Sequence, residues 1–266
     1  AAAAQNLCPV TLELGGQSPA IVCADFPVAT AAERISFVKY LNAGQICTTV
    51  DHVWLPEGRE DAFAKHVKHI VEKRYGALHG DDYTSIIDTR SFERLTTALE
   101  EARAGGARLI PLLPGPAWDA ATRKINPHVV LDAPPGCALL TREIFGPVLP
   151  VRPYRDIEDV IRHVNDGPTP LAMYPFSQDE ARVRLLIERV MSGGVSVNDA
   201  LFHVGQHDLP FGGVGESGMG HYHGREGFET FSKMRPVFYQ ARWPGTQLLY
   251  PPYGARVERL LAFLMR

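Results

Sequence analysis

The sequence predicts an α/β domain of three layers, with a mainly parallel sheet covered by helices on both faces. Helix-like and strand-like segments alternate along most of the 266 residues, which is typical of repeated strand–helix–strand units. Short apolar runs next to glycine or proline supply the strands, and longer segments with apolar residues at helical spacing supply the helices. With 45% hydrophobic and 21% charged residues, a chain of this length can bury a substantial core.

Apolar periodicity predicts the helices. In the segment 28–41, residues such as Ile35 and Val38 share one face, and Gly44 follows as a stop signal. An alanine run at 1–4 predicts the end of a helix, since alanine is the strongest helix former. The remaining predicted helices lie at 57–75, 91–104, 156–165, 178–191 and 256–265, the last of them after a proline-containing tail that begins near 235.

Short apolar runs predict the strands, and the first of them is expected to be buried. In sheets of this class the reactive groups usually lie on loops beyond the strand ends. We therefore expect catalytic and binding residues on the loops, among them the segment 143–147 between two strands. The predicted strands lie at 10–14, 52–55, 108–113, 128–131, 137–141, 148–154 and 194–198.

Charge and composition exclude several classes of protein. The net charge of −3 argues against a nucleic-acid partner. No apolar run approaches the roughly 18 residues that span a bilayer, so no membrane partner is expected. The four cysteines lack the spacing of a zinc site or a disulfide framework, so we expect no metal. Without a recognisable export leader, the sequence favours a cytoplasmic protein.

Cys47, in the run G-Q-I-C-T-T, is the first candidate for chemistry. It follows a predicted helix stop and lies among small and polar residues, which favours a loop position. A thiolate formed there would be a strong nucleophile. The alternative is a buried structural cysteine, which is common for this residue type. Cys8, Cys23 and Cys137 lie in apolar or proline-rich stretches, and for them we expect the structural role.

Two carboxylates and a glycine-rich segment are further candidates. Glu13, in T-L-E-L-G-G, ends an apolar strand, where burial would raise the pKa of its carboxyl group toward that of a general base. Glu143 and Phe145, in E-I-F-G-P, could bind sugar hydroxyls and pack on a flat ring, or could form an ordinary turn. The segment 209–220 is rich in glycine without being a phosphate-binding P-loop, and we expect it at the rim of an active site.

Together these motifs resemble the aldehyde dehydrogenase superfamily. L-E-L-G-G with Glu13, G-Q-I-C-T-T with Cys47 34 residues later, and E-I-F-G-P from Glu143 are similar to its motifs in order and spacing. The resemblance runs from residue 1 to about 253. The segments 209–224 and 228–232 look most like the class 3 and coniferyl aldehyde dehydrogenase branch.

The resemblance implies a role for each matched residue. Cys47 would be the nucleophile, its backbone N–H would supply half of an oxyanion hole, and Glu13 would activate the hydrolytic water. The cofactor, NAD or NADP, would be held by Glu143 at the nicotinamide ribose and by Phe145, Leu14 and Gly15. The substrate would be an aromatic, cinnamyl-type or medium-chain aliphatic aldehyde. Phe211 and Thr48 would line its binding site.

The resemblance also implies a domain organisation. Residues 1–12 would end the cofactor-binding domain, 13–220 would form the catalytic domain, and 221–266 would form a C-terminal helix and arm that bridges the subunits of a homodimer. The chain begins with Ala1, and its first methionine is Met173, so we expect a piece of a longer polypeptide that lacks most of the cofactor-binding domain. Such a piece is expected to be inactive as a dehydrogenase.

Two other functions stay open at this level. Cys47 and Glu13 need no cofactor to hydrolyse an activated ester, so the chain could act as a thiol esterase. It could also be an inactive fold fragment that binds partners through an exposed interface. An assay of aldehyde oxidation and ester hydrolysis, with and without NAD(P)⁺, distinguishes the three.

Overall fold

The structure is a computed structural model that describes residues 1–265, and these residues divide into two compact units. The first unit, residues 1–231, contains a seven-stranded sheet, and the second begins at residue 232. The helices of the first unit are α1 (Ala2–Gln5), α2 (Val28–Tyr40), α3 (Glu60–Tyr75), α4 (Thr89–Ala104), α5 (Ala138–Thr141), α6 (Ile157–Asp166), α7 (Glu180–Arg189) and α8 (Gly224–Thr230).

The strands confirm a mainly parallel sheet. Its order is β10-β9-β2-β3-β8-β7-β4, and every neighbouring pair is parallel except β4 with β7. Two further pairs, β1 with β11 and β5 with β6, stand apart from it. The strands are β1 (Leu12–Glu13), β2 (Pro19–Val22), β3 (His52–Pro56), β4 (Arg108–Pro111), β5 (Trp118–Asp119), β6 (Lys124–Ile125), β7 (His128–Leu131), β8 (Val148–Tyr154), β9 (Ala172–Phe176), β10 (Gly194–Val195) and β11 (Gly218–Met219).

Helices cover both faces of the sheet, as predicted. Alternate residues of a strand point to opposite faces, so Ala20 packs in the cluster that contains α2 and α3, whereas Ile21 packs in the cluster that contains α6 and α7. A third cluster joins α4 to β7 and β8. The central strands are therefore buried on both sides, as expected for parallel strands in an α/β protein.

The second unit contains a short 3₁₀ turn at Gly245–Leu249 and the helix α9 (Ala255–Leu264). The predicted helix at 256–265 is confirmed to within one residue at each end. Val257 is the buried residue of α9. Within residues 1–265, no helix is long and apolar enough to cross a bilayer.

Several predicted elements are wrong or shorter than expected. The segment 10–14 is not a buried strand: only β1 forms, it pairs with β11 outside the main sheet, and Val10, Leu12 and Leu14 are exposed. The segment 137–141 contains the helical turn α5, whose Leu139 is buried, because a short apolar run suits a buried turn as well as a strand. The predicted strand 194–198 is limited to β10.

The sequence prediction also omitted two central strands, β2 and β9. Both are short, and both contain a proline, Pro19 in β2 and Pro175 in β9, a residue that usually argues against a central strand. Pro19 is tolerated because it is the first residue of its strand.

The sheet brings three loops to one edge. Because β2, β3 and β8 are parallel, the segments that precede them lie at the same, amino-terminal edge. These segments are 13–18, 41–51 and 142–147, and they carry Glu13, Cys47 and Glu143. The candidate site therefore lies at the amino ends of these strands, opposite to the carboxyl-end position that is usual for open α/β sheets.

Candidate active site

The loop that carries Cys47 begins with an unusual backbone. After α2, a 3₁₀ turn at Leu41–Gly44 contains Asn42, Ala43 and Gly44, all with φ between 51° and 73°. A left-handed conformation costs a residue such as alanine about 1–2 kcal/mol, and such strain often occurs at functional sites. The turn ends the helix abruptly, and Cys47 follows in a half-buried position.

Gly44 joins the Cys47 loop to the 143–147 loop. A Cβ atom at Gly44 would lie 2.2 Å from the carbonyl oxygen of Gly146, so a side chain would force the two loops apart. Glycine also suits the φ of +73° at this position. The structure therefore places the G-Q-I-C-T-T and E-I-F-G-P motifs in direct contact through their glycines.

The thiol of Cys47 lies beside the carboxylate of Glu13. Burial, followed by the proximity and negative charge of this carboxylate, raises the pKa of the thiol to about 11. The backbone N–H groups of Thr48 and of Cys47 itself act in the opposite direction. Oε1 of Glu13 is shielded from solvent and has no hydrogen-bond partner among the described residues. At neutral pH the thiol therefore keeps its proton.

Glu143 lies over the two glycines of the L-E-L-G-G motif. A Cβ atom at Gly15 would lie 1.9 Å from Oε2 of Glu143, so only glycine leaves room for this carboxylate. The backbone N–H of Gly16 donates a hydrogen bond to Glu143. Burial, with the nearby charge of Asp51, raises the pKa of Glu143, and Gly16 opposes this shift. The sequence motifs of Glu13 and Glu143 thus form one surface.

The remaining predicted cofactor residues lie nearby on the same two segments. Phe145 is half-buried, with a left-handed φ of 46°, which is rare for a bulky residue. Leu14 is exposed, and its backbone N–H donates to the carbonyl of Ser217. Through this bond and the pairing of β1 with β11, the glycine-rich segment 209–220 lies beside Glu13.

An aromatic cluster, defined as Tyr174, His203, Phe211, Tyr222 and His223, lies near the cysteine. Phe211 is buried, with ring centroids 5.6 Å from those of Tyr222 and His223. The pKa of Tyr222 is raised by burial and then by Glu13 and Cys47. The hydroxyl of Tyr174 donates to the carbonyl of Thr48, whose side chain is buried. Of this cluster, sequence reasoning selected Phe211 alone.

Sequence reasoning also missed two buried charged residues behind the site, Lys39 and Asp51. Oδ1 of Asp51 accepts the backbone N–H of Ile144 at 2.9 Å. From α4, Arg94 donates to the carbonyls of Ile144 at 2.7 Å and of Glu143 at 3.4 Å. Lys39 has no exposed surface, and its Nζ has no hydrogen-bond partner within residues 1–265.

The other three cysteines are not equivalent. Cys23 and Cys137 are buried, as expected for structural residues, and burial raises the pKa of Cys23 to about 11. Cys8, however, is exposed, so the expectation of a buried structural role is wrong for this residue. Its segment lies between α1 and β1, outside the main sheet, and the neighbouring proline therefore does not indicate burial.

The chain matches one family of known proteins along most of its length. The sequence profile of the aldehyde dehydrogenase family matches residues 1–237. The chain belongs to the aldehyde dehydrogenase family. This confirms the resemblance inferred from the motifs.

Several relatives illustrate the match. The chain is 46% identical over 261 residues to a probable coniferyl aldehyde dehydrogenase of Pseudomonas aeruginosa, a match covering 98% of this chain and 54% of that protein. It is 44% identical to a coniferyl aldehyde dehydrogenase of a Pseudomonas species, covering 99% and 56%. A rat aldehyde dehydrogenase described as dimeric and NADP-preferring is 36% identical, covering 97% and 56%. The chain thus spans about half the length of these relatives.

Solved structures support the fold. The substrate-bound state of Staphylococcus aureus AldH is similar with a TM-score of 0.89 and 34% identity, covering 99% of this chain and 57% of that one. An NADP-dependent glyceraldehyde-3-phosphate dehydrogenase of Bacillus halodurans in complex with NADP has a TM-score of 0.78 and 27% identity, covering 85% and 47%.

Proposed function

We propose that this chain carries the catalytic residues of an enzyme that oxidises an aldehyde to a carboxylic acid with NAD⁺ or NADP⁺. Aldehyde, water and NAD(P)⁺ would give the acid, NAD(P)H and a proton. The observation that carries the proposal is the proximity of the Cys47 thiol to the Glu13 carboxylate, with Cys47 in a loop that contacts the Glu143 loop at Gly44 and Gly146.

The first step is addition of Cys47 to the aldehyde. Because the pKa of the thiol is about 11, a base must take its proton as the sulfur attacks, and Glu13 is the adjacent acceptor. The new C–S bond replaces the π bond of the carbonyl group, which leaves a negative oxygen. The backbone N–H of Cys47 would stabilise that charge in the resulting thiohemiacetal.

The second step would need NAD⁺ or NADP⁺, which when bound would supply the hydride acceptor. The Glu143 carboxylate, over Gly15 and Gly16, suits the hydroxyls of a ribose, because it is half-buried and keeps acceptor capacity beyond its bond to Gly16. Phe145 and Leu14 offer apolar contacts for a flat ring. These four residues, Leu14, Gly15, Glu143 and Phe145, would hold the nicotinamide end.

The third step hydrolyses the thioester on Cys47. Glu13 first releases the thiol proton to solvent, which is the proton of the overall reaction. It then accepts a proton from a water molecule, the water oxygen attacks the acyl carbon, the C–S bond breaks to release the acid, and Glu13 returns its proton to the Cys47 sulfur. The unpaired, buried Oε1 of Glu13 supports this role, because an oxygen without a protein partner is free to bind a water. The same carboxylate would thus serve both the thiol and the water.

For the substrate we propose an aromatic or cinnamyl-type aldehyde. Support comes from the aromatic cluster next to Cys47 and Glu13, and from the names of the bacterial relatives, which are coniferyl aldehyde dehydrogenases. Flat rings pack well between the edges and faces of Phe211 and Tyr222. Thr48 would contribute through its backbone, since its side chain is buried.

The assembly is also a proposal. Residues 13–220 would be the catalytic domain, 1–12 the end of a cofactor-binding domain, and 221–266 an arm between subunits of a homodimer. The rat relative whose name includes "dimeric" supports the dimer. Sedimentation of the full-length protein with and without the arm tests it.

Trapping of the acyl-enzyme tests the mechanism. In a protein of the family's full length that contains this chain, we expect coniferyl aldehyde and NAD⁺ or NADP⁺ to give an acyl adduct on the peptide that contains Cys47, detected by mass spectrometry after acid quench. Cys8→Ser is the control and should keep the adduct. An adduct that survives in Cys47→Ser, or forms on another cysteine, would overturn the proposal.

Cofactor-independent ester hydrolysis is a second candidate activity. It is favoured by the Cys47–Glu13 pair, which is complete within this chain. Release of nitrophenol from nitrophenyl acetate by residues 1–266, and its loss in Cys47→Ser, would establish this activity. An unchanged rate in that variant would exclude Cys47 as the esterase nucleophile.

A further inference from the structure

Lys39 is a buried cation without a hydrogen-bond partner. It lies in the last turn of α2, has no exposed surface, and its Nζ has no partner in the described part of the chain. Burying an ammonium group without full compensation is costly. The apolar spacing of α2 is already satisfied by residues such as Ile35 and Val38, so packing of the helix does not require a lysine at this position.

Asp51 is the nearby buried anion, and it also has an unused atom. Its side chain is almost fully buried, its Oδ1 accepts the backbone N–H of Ile144, and its Oδ2 has no hydrogen-bond partner within residues 1–265. Lys39 and Asp51, which both lie among the described residues, form no direct hydrogen bond or ion pair, so the attraction of Lys39 to Asp51 and, more weakly, to Glu143 acts across the buried interior. The cation thus compensates a carboxylate whose one hydrogen bond goes to the 143–147 loop.

Lys39 and Asp51 connect the parts of the site. The carbonyl of Lys39 lies 3.0 Å from the position of a Cβ atom at Gly44, the glycine that contacts Gly146. Asp51 follows Cys47 by four residues and precedes β3. The pair therefore spans the end of α2, the cysteine loop and the 143–147 loop.

We propose that Lys39 and Asp51 form a buried brace that holds the 143–147 loop, and so positions the Glu143 carboxylate for the cofactor. Lys39 is a positioning residue, since it acts through Asp51 and Ile144. The inference rests on the proposed function through the role of Glu143. The brace itself concerns only contacts within this chain, so its failure can be separated from a failure of that role.

The brace depends on the charge of Lys39, which gives it a pH dependence. Burial lowers the pKa of Lys39 from 10.5 to about 8, against the attraction of Asp51 and Glu143. As the pH rises through about 8, the Lys39 ammonium group loses its proton and its charge, and its attraction for the Asp51 carboxylate is lost. Other charged or titratable groups near this region are His52 next to Asp51, Arg94 from α4, Arg142 and Glu13.

The free energy of unfolding should change with pH in the opposite direction to cofactor affinity. Because the pKa of Lys39 is lower in the folded chain than its ordinary value of 10.5, burying the cation costs stability at low pH. That cost is relieved as the pH rises from about 8 toward 10.5. A loss of cofactor affinity above pH 8 without a loss of stability would therefore indicate the brace and not unfolding.

The first test measures the KM for NAD⁺ or NADP⁺ against pH in the full-length enzyme. We expect the parent KM to rise above pH 8, and Lys39→Met to raise it at pH 7 by about tenfold, with a smaller change in kcat and no further rise with pH. Lys39→Arg, which stays charged, should remove the alkaline rise. Ile35→Val, a buried change one turn earlier, is the control. A Lys39→Met enzyme with the parent KM and pH profile would overturn the brace.

The second test does not depend on the cofactor. Hydrogen exchange of the Ile144 amide should be about tenfold faster in Lys39→Met than in the parent, and unchanged in Ile35→Val. If Lys39→Met folds poorly, the double variant Lys39→Met/Asp51→Asn, which removes both charges and keeps an acceptor for Ile144, should recover stability. Unchanged Ile144 exchange would overturn the brace. If exchange responds but Glu143→Gln leaves the cofactor KM unchanged, the proposed role of Glu143 fails instead.

Discussion

Polar side chains at the two ends of the central sheet differ in how completely they are hydrogen-bonded. At the carboxyl ends of β2 and β9, Asp25 accepts hydrogen bonds from the hydroxyl of Ser177 at 2.8 Å, from the backbone N–H of Gln178 at 2.6 Å and from Arg182 at 2.8 Å. At the amino ends, buried polar atoms without a hydrogen-bond partner among the described residues occur in Glu13, Lys39, Asp51 and His52.

The backbone shows a similar but less complete contrast. At the carboxyl ends, Asp132 and Asn198 are left-handed and of types that tolerate this conformation, and Oδ1 of Asn198 accepts the N–H of Ser177, although Leu201 is left-handed as well. At the amino end, Ala43 and Phe145 adopt left-handed conformations that their side chains disfavour. Saturated polar groups and relaxed backbone stabilise a fold, whereas unpaired groups and strain cost free energy. We therefore expect the carboxyl end to contribute mainly stability, while the amino end carries the proposed ligand chemistry.

Replacement of Glu13 should have the largest effect on the chemistry at the amino end. In Glu13→Gln, the thioester loses its base for hydrolysis, so we expect turnover to fall by about 10²–10⁴-fold. Because Glu13→Gln also lowers the pKa of the Cys47 thiol, water can take the thiol proton more readily and the first step should remain faster than thioester hydrolysis. Rapid-mixing absorbance at 340 nm should then show a burst of NAD(P)H followed by slow turnover. Loss of the burst would mean instead that the first step, in which the Cys47 thiol gives its proton to Glu13, has become limiting.

A methyl group at Gly15 should break the cofactor surface with less effect on the cysteine. In Gly15→Ala, the new Cβ atom would lie 1.9 Å from Oε2 of Glu143, so the carboxylate must move. We expect the KM for the cofactor to rise by about 10–100-fold, with ester hydrolysis by Cys47 unaffected. Gly167→Ala is the control, because its nearest atoms would be 3.5 Å away. An unchanged KM would show that cofactor binding does not depend on the position of the Glu143 carboxylate over Gly15.

A matching change at the carboxyl end should affect stability and not activity. Asp25→Asn leaves Arg182 and two backbone donors without a carboxylate, so we expect the free energy of unfolding to fall by about 1–3 kcal/mol, measured by urea denaturation. Hydrogen bonds from Ser177, Gln178 and Asp179 lower the pKa of Asp25 in the folded chain.

The same variant has a defined pH dependence. Because the folded-state pKa of Asp25 is lower than the ordinary 3.8, its stabilisation is complete above pH 4 and is lost as the pH falls below it. The difference in stability between parent and Asp25→Asn should therefore shrink in acid. A loss of aldehyde oxidation at pH 7 greater than the loss of folded protein would contradict the assignment of this end to stability.

Candidate site residues that lie in motifs could be predicted from the sequence. The buried residues that support them could not. Glu13, Cys47 and Glu143 were selected because a carboxylate or thiol next to glycines is an unusual local pattern. Lys39 was not, since a lysine near the end of an amphipathic helix normally faces solvent and favours the helix dipole. Its burial follows from the packing of α2 against β2 and from the 143–147 loop, which no local pattern contains.

The same limit applies to the fold. Repeated helical spacing and apolar runs predicted most of the parallel sheet, including β3, β7 and β8 to within two residues. β2 and β9 were not predicted because a run of four or five residues that contains proline is compatible with several backbone conformations. Their pairing with each other and with β3, contacts that are distant in sequence, selects the strand.

The smallest expected effect compares one thiol from each end of the sheet. The pKa of Cys23, after β2, and the pKa of Cys47, before β3, are both raised to about 11. For Cys23 the cause is mainly burial, and the thiol is almost inaccessible. For Cys47, Glu13 adds to burial. Glu13→Gln should therefore lower the pKa of Cys47 toward the ordinary 9.0 and leave Cys23 unchanged.

Alkylation by iodoacetamide at pH 8, followed by peptide mass spectrometry, measures this difference. Because thiolate is the reactive form, a pKa lower by one unit gives about tenfold more of it, partly offset by lower nucleophilicity. We expect Cys47 to react about threefold to tenfold faster in Glu13→Gln, while exposed Cys8 keeps its rate and Cys23 stays unlabelled. Equal acceleration of Cys23 would indicate general loosening of the fold. An unchanged Cys47 rate would show that burial alone controls this thiol, and that the amino end differs from the carboxyl end in accessibility and not in charge.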